Sequence, residues 1–333
     1  MNPLVSVIIP CRNEENTIHL VLEALFQQSF PIENMEVVIA DGLSTDGTRR
    51  AIHAFSKTHP ALKIRLVDNP KKIIPAGLNI AIRASNGEII VRMDAHSLPK
   101  ADYVQRCVDA LLEGKAENVG GIWNIRPQND IWVARSIAAA AANPLAVGDA
   151  RYRFTDKAGY VDTVPYGSYK RELFDKIGFF DESLLANEDY EFNTRIRQSG
   201  GRIWLDPAIQ CTYFARPTYS ALAKQYWGYG FWKAQMLKRY PETLRWRQAL
   251  PPLFVLGLIF LAVLGFCWQP ARIVLAVVVG LYLLIQLIPA VRIARKLGNI
   301  LLSIGIVLAT IVMHFSWGTA RIVGLFSHPD RKW

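Results

Sequence analysis

Three stretches near the end of the chain, Pro252–Trp268, Ile273–Ala290 and Ile300–Trp317, contain no formally charged residue. Nothing else in the sequence limits the fold as tightly. Hydrocarbon offers a backbone no hydrogen-bond partner, so a single stretch that enters a bilayer must be helical. Each is 17 or 18 residues long, near the lower limit for crossing about 30 Å of hydrocarbon. Arg292, Arg295 and Lys296 separate the second from the third. That predicts a cytoplasmic loop, with the N-terminal domain on the same side of a plasma or inner membrane. A third full crossing would carry Arg321, Arg331 and Lys332 outside, against the rule, so the third stretch is expected to cross, re-enter or lie in the interface.

The net charge is +10, and the cations gather beside these stretches. Arg216 to Leu250 holds seven Lys or Arg and one acid, interleaved with Tyr226, Trp227, Tyr229, Phe231 and Trp232. Helical spacing puts Lys224, Lys238 and Arg239 on one side and Tyr219, Leu222, Tyr226, Tyr229, Met236 and Leu237 on the other. That is the pattern of an interfacial helix on anionic lipid, with Gly228 and Gly230 as potential breaks and Lys233 in the middle of its apolar face. No nucleic-acid motif or basic arm is present, so no nucleic-acid partner is expected. The four cysteines are far apart, which excludes a CxxC zinc or redox pattern. They read as reduced cysteines. Met1–Pro10 lacks a basic n-region and reads as a first strand rather than a signal peptide.

Strand and helix alternate over the first hundred residues. Leu4–Ile9, Glu36–Ala40, Lys63–Val67 and Glu88–Met93 read as strands, the first stopping at Pro10. Thr17–Gln28, a segment capped by Asp46, and Pro75–Ala84 read as helices. This predicts an α/β fold with a mainly parallel sheet. Ligands bind beyond the carboxyl ends of such strands, where Pro10–Glu14, Asp41–Gly47 and Asp94–His96 all fall. A carboxylate and an imidazole two residues apart can both reach one divalent cation, Mg²⁺ or Mn²⁺. The alternative is a helix cap and a surface histidine. No GxGxxG or GxxxxGK[ST] cradle is present, so a ligand diphosphate would need a metal for its charge.

Later in the chain Val119–Trp123 and Tyr160–Pro165 read as strands and Ile131–Ala142 as a helix. Asn187 is an N-cap candidate for a helix opening on Glu188, Asp189 and Glu191. Those acids are either helix-dipole partners or include a general base kept ionised by the dipole.

The ordered set Ser6-Val-Ile-Ile-Pro-Cys-Arg-Asn-Glu-Glu15, Ala40-Asp-Gly-Leu-Ser-Thr-Asp-Gly-Thr48, Asn69-Pro70, Leu78-Asn79, Met93-Asp-Ala-His96, Asn187-Glu-Asp189 and Gln225-Tyr-Trp-Gly-Tyr-Gly230 resembles the family 2 glycosyltransferases, in particular those of exopolysaccharide assembly. The resemblance implies a GT-A fold over residues 1–215, an interfacial segment over 216–250 and a membrane segment over 251–333. It implies that Pro10, Arg12, Glu14, Asp41 and Asp94 bind the nucleotide sugar, that Asp94 and His96 stand where the family holds its metal, and that Asp189 is the catalytic base. Glu188, Gln225, Tyr226, Trp227, Tyr229 and Lys233 are the candidate acceptor contacts. His96 departs from the usual third aspartate and is similar to the DxH of polypeptide N-acetylgalactosaminyltransferases. The QxxRW motif of processive synthases is unmatched, because Gly228 and Tyr229 occupy its last two positions.

The expected activity is inverting transfer of one hexose from a UDP-sugar to a lipid-linked saccharide, with Mn²⁺ or Mg²⁺ and with other polysaccharide-assembly proteins as candidate partners. Transfer to polyprenyl phosphate, with Lys233 and Arg171 on the phosphate, is the near alternative. A membrane-bound nucleotide-sugar-binding protein without turnover is the alternative of another class. A transporter is disfavoured, since three short stretches without a buried charge make no pathway.

Overall fold

The computed structural model describes residues 3–327. In chain order its regular elements are β1 Val5–Cys11, α1 Ile18–Phe26, β2 Met35–Asp41, α2 Thr48–Thr58, β3 Lys63–Asp68, α3 Ile74–Ala84, β4 Ile89–Arg92, β5 Leu98–Pro99, α4 Tyr103–Leu112 and β6 Asn118–Pro127. They continue as α5 Trp132–Ala141, α6 Pro144–Val147, β7 Gly159–Tyr160, β8 Ser168–Lys170, α7 Glu172–Ile177, α8 Glu188–Gln198, β9 Ile203–Ala215, α9 Tyr219–Arg239, α10 Trp246–Gly265, α11 Gln269–Lys296 and α12 Leu302–Phe326.

Two compact units result. The first is Met1–Asn124 with Arg151–Tyr213, and the second is Ile125–Ala150 with the described part of Phe214–Trp333. The assignment of Ile125–Ala150 to the second unit is not visible in the sequence.

The first unit is built on one sheet in the order β3-β2-β1-β4-β8-β6-β9-β5, with β7 paired to β9. The first four strands are parallel, as their alternation with α1, α2 and α3 predicts, and the later pairings through β8, β5 and β7 are antiparallel. Both faces of the parallel part are covered, which explains its continuous apolar runs. Val5, Val7 and Ile9 belong to the same core cluster as Val21, Leu22, Val104 and Val108 of α1 and α4. Ile8, Val38 and Ile90 belong to the opposite one, with Leu78 of α3 and Phe192 of α8. Register aligns Cys11 with Asp41 and Asp41 with Asp68, so three strands end in one row.

β1 does not stop at Pro10. Ile8 O accepts from Met93 N on the β4 side, and residues two apart face the same way. Pro10 therefore turns its nitrogen towards β4 after β4 has ended at Arg92, where no donor is required. The predicted Tyr160–Pro165 strand is only Gly159–Tyr160. Beyond it Tyr166 and Gly167 take φ of 64° and 85° and turn the chain into β8. Asn187 does occupy the cap of α8, but with φ 65° and no side-chain cap bond. It is there because asparagine tolerates the left-handed region.

In the second unit α9 is unbroken through Gly228 and Gly230. It packs along α12. A Cβ on Gly324 would lie 2.8 Å from Ala234 Cβ and 2.9 Å from Phe231 O, so small residues set this close approach. The apolar face expected to lie on lipid is thus partly covered by protein. The alanine-rich α5 also packs on α12.

α10, α11 and α12 are each long and apolar enough to cross a membrane. Only 11% of the apolar window of α10 and of α11 is buried, against 44% for α12, so α10 and α11 offer most of the exposed apolar surface. Arg292, Arg295 and Lys296 lie on the last turns of α11 rather than in a loop, where cations suit the helix carboxyl end. Arg321 lies within α12, buried, with its guanidinium donating to Gln248 O and stacked over Trp317. Arg331 and Lys332 lie outside the described residues.

Candidate active site

The carboxyl ends of β1, β2, β3 and β4 surround a cavity of about 240 Å³, with Pro10, Arg12, Glu14, Asp94 and His96 on its lining. The switch point explains its place, because β1 runs between β2 and β4 and the chain leaves it in both directions. The loops after β1 and β2 are tied to each other. Asn13 N donates to Ser44 Oγ at 2.8 Å, Thr45 N to Asn13 Oδ1 at 2.9 Å, Glu14 N to Thr48 Oγ1 at 2.7 Å and Gly47 N to Glu15 Oε2 at 2.7 Å. Asp46 accepts from Thr48 N at 3.0 Å and Glu15 N at 3.3 Å. Partial withdrawal from water raises its carboxyl, but the bonds from Thr48 and Glu15 outweigh that and hold it below the ordinary aspartate range.

Asp41 stands apart from the other nucleotide candidates. Its carboxylate is fully buried, accepts from Ser44 N at 3.1 Å and pairs with Arg49 at 2.8 Å. It does not line the cavity. It braces the turn in which Leu43 takes φ 54°.

Cys11 lines the cavity, but burial, with the charges of Asp41 and Glu14, pushes its thiol far up. The thiol form, a poor nucleophile, is thereby favoured.

On the strand end itself, His96 Nδ1 lies 3.1 Å from Glu14 Oε1. Among the described residues no group of three or more His, Cys, Asp or Glu side chains is arranged to hold a metal ion. Asp94 and His96 still fit a divalent cation as a partial donor set. A carboxylate oxygen and an imidazole nitrogen at one strand end leave the remaining positions to a ligand's oxygens, as hard cations in phosphate sites accept.

The second half of the site is organised by Arg92, which the sequence reading passed over. Its Nη2 donates to Glu188 Oε1 at 2.9 Å and to Asp94 Oδ1 at 3.4 Å. Arg92 and Glu188 are each 5% exposed, and Arg92 Nε and Nη1 have no partner among the described residues. A lone cation between Val91 and Met93, in a strand too apolar to need one, was the available signal.

Burial alone would discharge Arg92, but Asp94, Glu188 and Asp189 hold it charged. Burial pushes the Glu188 carboxyl up to about 7, against the pull of Arg92. Asp189, partly buried, is likewise raised by withdrawal from water, with Arg92 and the bond from Tyr190 N opposing. Desolvation is the largest influence on Asp189, acting beside the helix dipole. Phe192 holds the turn in place, 4.6 Å from Phe180 and 5.3 Å from Phe174 and Tyr169.

Glu191 is taken by Arg195 through two contacts, at 2.6 and 2.9 Å. Arg195 in turn donates to Ile177 O and Phe179 O. Arg171 donates to Gly87 O, Ile82 O and Ser85 Oγ, so it stitches α3 to β4 and is not held out for a phosphate. In the second unit, Tyr226 and Lys233 are buried, with Lys233 Nζ 3.7 Å from Met236 Sδ. Gln225 donates to Tyr229 OH at 3.2 Å, and Trp227 is partly buried on the same helix.

A mainly parallel sheet whose strand ends gather an acid, an imidazole and a cavity is in keeping with the GT-A fold. The glycosyl transferase family 2 model matches residues 6–178, and the chain belongs to that family. It is 30% identical over 247 residues to succinoglycan biosynthesis protein ExoA of Rhizobium meliloti, covering 74% of this chain and 73% of that one. It is 27% identical over 298 residues, 88% of each chain, to the dolichyl N-acetyl-α-D-glucosaminyl phosphate 3-β-D-2,3-diacetamido-2,3-dideoxy-β-D-glucuronosyltransferase of Methanococcus voltae. Among solved structures, the mannosyltransferase PcManGT of Pyrobaculum calidifontis, in complex with GDP-Man and Mn²⁺, superposes with a TM-score of 0.65. It is 24% identical, over 94% of this chain and 87% of that one. S. aureus TarS 1–349 with UDP-GlcNAc gives 0.51 at 15% identity, over 96% and 90%. These likenesses establish the GT-A fold. The chain is a glycosyltransferase with three helices long and apolar enough to cross a membrane.

Proposed function

We propose that the chain moves a single hexose, with inversion, from a nucleotide-diphosphate sugar to a lipid-linked saccharide. The observation that carries the reading is the pairing of Arg92 with both Asp94 and Glu188. It puts the acid turn of α8 beside the strand end that lines the cavity. Asp189 accepts the proton of the acceptor hydroxyl as that oxygen bonds to the anomeric carbon, and the bond to the diphosphate breaks with its electron pair leaving on the diphosphate. Pro10, Arg12 and Glu14 hold the nucleoside side, and Asp41 acts by bracing their neighbouring loop. Asp94 and His96 would hold a divalent cation, which would supply positive charge against the diphosphate.

The acceptor class is supported by the dolichyl-phosphate-linked acceptor in the name of the Methanococcus relative. UDP and GDP donors are both found among the fold neighbours, and UDP-sugars are the first choice here. Glu188 sets the surroundings of the base, while Gln225, Trp227 and Tyr229 of α9 are the acceptor contacts, with Tyr226 and Lys233 supporting that helix from within. The functional segments are the catalytic domain to residue 215, α9 with the turn after it, and the apolar helices. The cationic end of α11 faces the cytoplasm, together with the catalytic domain.

A panel of UDP- and GDP-sugars, given to the detergent-solubilised chain with lipid-linked saccharide and Mn²⁺, tests this reading. One donor should give a glycosylated lipid product of inverted configuration, and EDTA should abolish turnover with Mn²⁺ restoring it best. A retained configuration, or full turnover in EDTA, would contradict it.

A further inference from the structure

Arg92 is the last residue of β4, two positions before Asp94. Its guanidinium is held by one nitrogen. Nη2 reaches Glu188 Oε1 at 2.9 Å and Asp94 Oδ1 at 3.4 Å, while Nε and Nη1 are buried with no partner among the described residues. A guanidinium that serves stability best meets a carboxylate with two nitrogens. Arg195 does so, gripping Glu191 at 2.6 and 2.9 Å. Arg92 instead spreads one nitrogen over two carboxylates on different elements.

Those two carboxylates differ in what else can reach them. The Glu188 side chain is 7% exposed, whereas that of Asp94 is 26% exposed and lines the cavity. Of the pair, only Asp94 is open to a cation from solvent. A cation arriving there meets a guanidinium already drawing on the same carboxylate. Arg92 does not discharge, because Asp94, Glu188 and Asp189 together hold it charged. Its burial also keeps water and salt from screening it. With Asp94 and His96 as the donors, that repulsion weighs heavily against binding. A diphosphate changes the balance, because its oxygens add both ligands and negative charge.

Resting on the metal and nucleotide-sugar reading above, we propose that Arg92 is a positioning residue that makes cation binding at Asp94 and His96 conditional on the nucleotide diphosphate. By drawing on the charge of Asp94 it keeps the empty site poor in metal, so cation and nucleotide are held together or not at all. A purely structural Arg92 predicts the opposite sign: its loss would loosen Asp94 and weaken metal binding.

Mn²⁺ titration of the full chain in detergent, read by the electron paramagnetic resonance of free Mn²⁺, tests this with and without UDP or GDP. Wild type should bind Mn²⁺ about tenfold or more tightly with the nucleotide it accepts than without, and reciprocally for the nucleotide. Arg92→Met should tighten nucleotide-free Mn²⁺ binding by about tenfold and change nucleotide-bound affinity less, so the ratio between the two shrinks. Because that variant strands Glu188 in the interior, Arg92→Met combined with Glu188→Gln repeats the measurement with both buried charges removed. It should tighten nucleotide-free binding in the same direction, and it decides alone if the single variant does not fold. Nucleotide-free affinity that is unchanged or weaker in the folded variants overturns the role given to Arg92 and leaves the metal reading standing. Equal wild-type affinity with and without nucleotide overturns it as well. If wild type binds Mn²⁺ with neither UDP nor GDP present, nor without them, the metal reading fails and the inference fails with it.

Discussion

The two halves of the site treat carboxylates in opposite ways. In the loops after β1 and β2, acids receive hydrogen bonds from neighbouring main chain and hydroxyls, and Asp46 is held below its ordinary range. At the start of α8, little more than one strand away, burial raises Glu188 to about 7 and lifts Asp189 as well. One neighbourhood keeps its acid charged to tie the loops together. The other raises both acids by withdrawing them from water, Glu188 to about 7. Arg92 belongs to both, since one of its nitrogens faces Asp94 and Glu188 together.

Removing that link should have the largest effect. Arg92→Met leaves Glu188 buried without its cation, and breaking such a pair typically costs ~3–5 kcal/mol. Denaturant unfolding should show a loss of that order at pH 8 and a smaller one at pH 5, where Glu188 can protonate instead. An equal loss at both values would mean that the pair is not what Arg92 stabilises.

Glu191→Gln sharpens the contrast within a single helix turn. It weakens the two-pronged contact to Arg195, so the melting temperature should fall, by an amount matching ~1–3 kcal/mol. Turnover per folded molecule should stay within a fewfold of wild type. A selective loss of turnover with unchanged melting would move the catalytic base from Asp189 to Glu191.

The smallest effect is a slope. The folded Glu188 carboxyl is raised above its ordinary value of 4.5, so the folded chain binds a proton that the unfolded chain has released. Its contribution to stability is fully present below about pH 4.5 and is lost as pH rises through about 7. Glu188→Gln should flatten the fall in stability between pH 5 and 8 relative to wild type. Parallel curves for the two proteins would show that Glu188 is not raised.

Much of this contrast was legible beforehand on one side only. The parallel strands and their polar ends follow from apolar runs broken at Pro10, Asp41 and Asp94, because local pattern alone decides them. The partners of those ends do not follow. Asp41 looks like a ligand residue until Arg49, eight positions on, is seen to claim it. Arg92 lies 96 positions from Glu188, and no local rule connects them. The upward pull on Asp189 is not legible for the same reason: the helix dipole is a local property, whereas burial depends on the packing of the whole unit. The partner of α5 is likewise distant: α12, the helix it packs on, begins about 160 positions later.

The account turns on Asp189 as the group that accepts the acceptor's proton, and one substitution addresses it directly. Asp189→Asn keeps size and much of the hydrogen bonding but removes the basic oxygen. With the preferred donor and lipid-linked acceptor, kcat should drop ~10²-fold or more. Nucleotide binding by calorimetry and the melting temperature should stay close to wild type. If Asp189→Asn turns over at a near-native rate, or loses activity only in step with unfolding, Asp189 is not the base and the acid turn of α8 is structural.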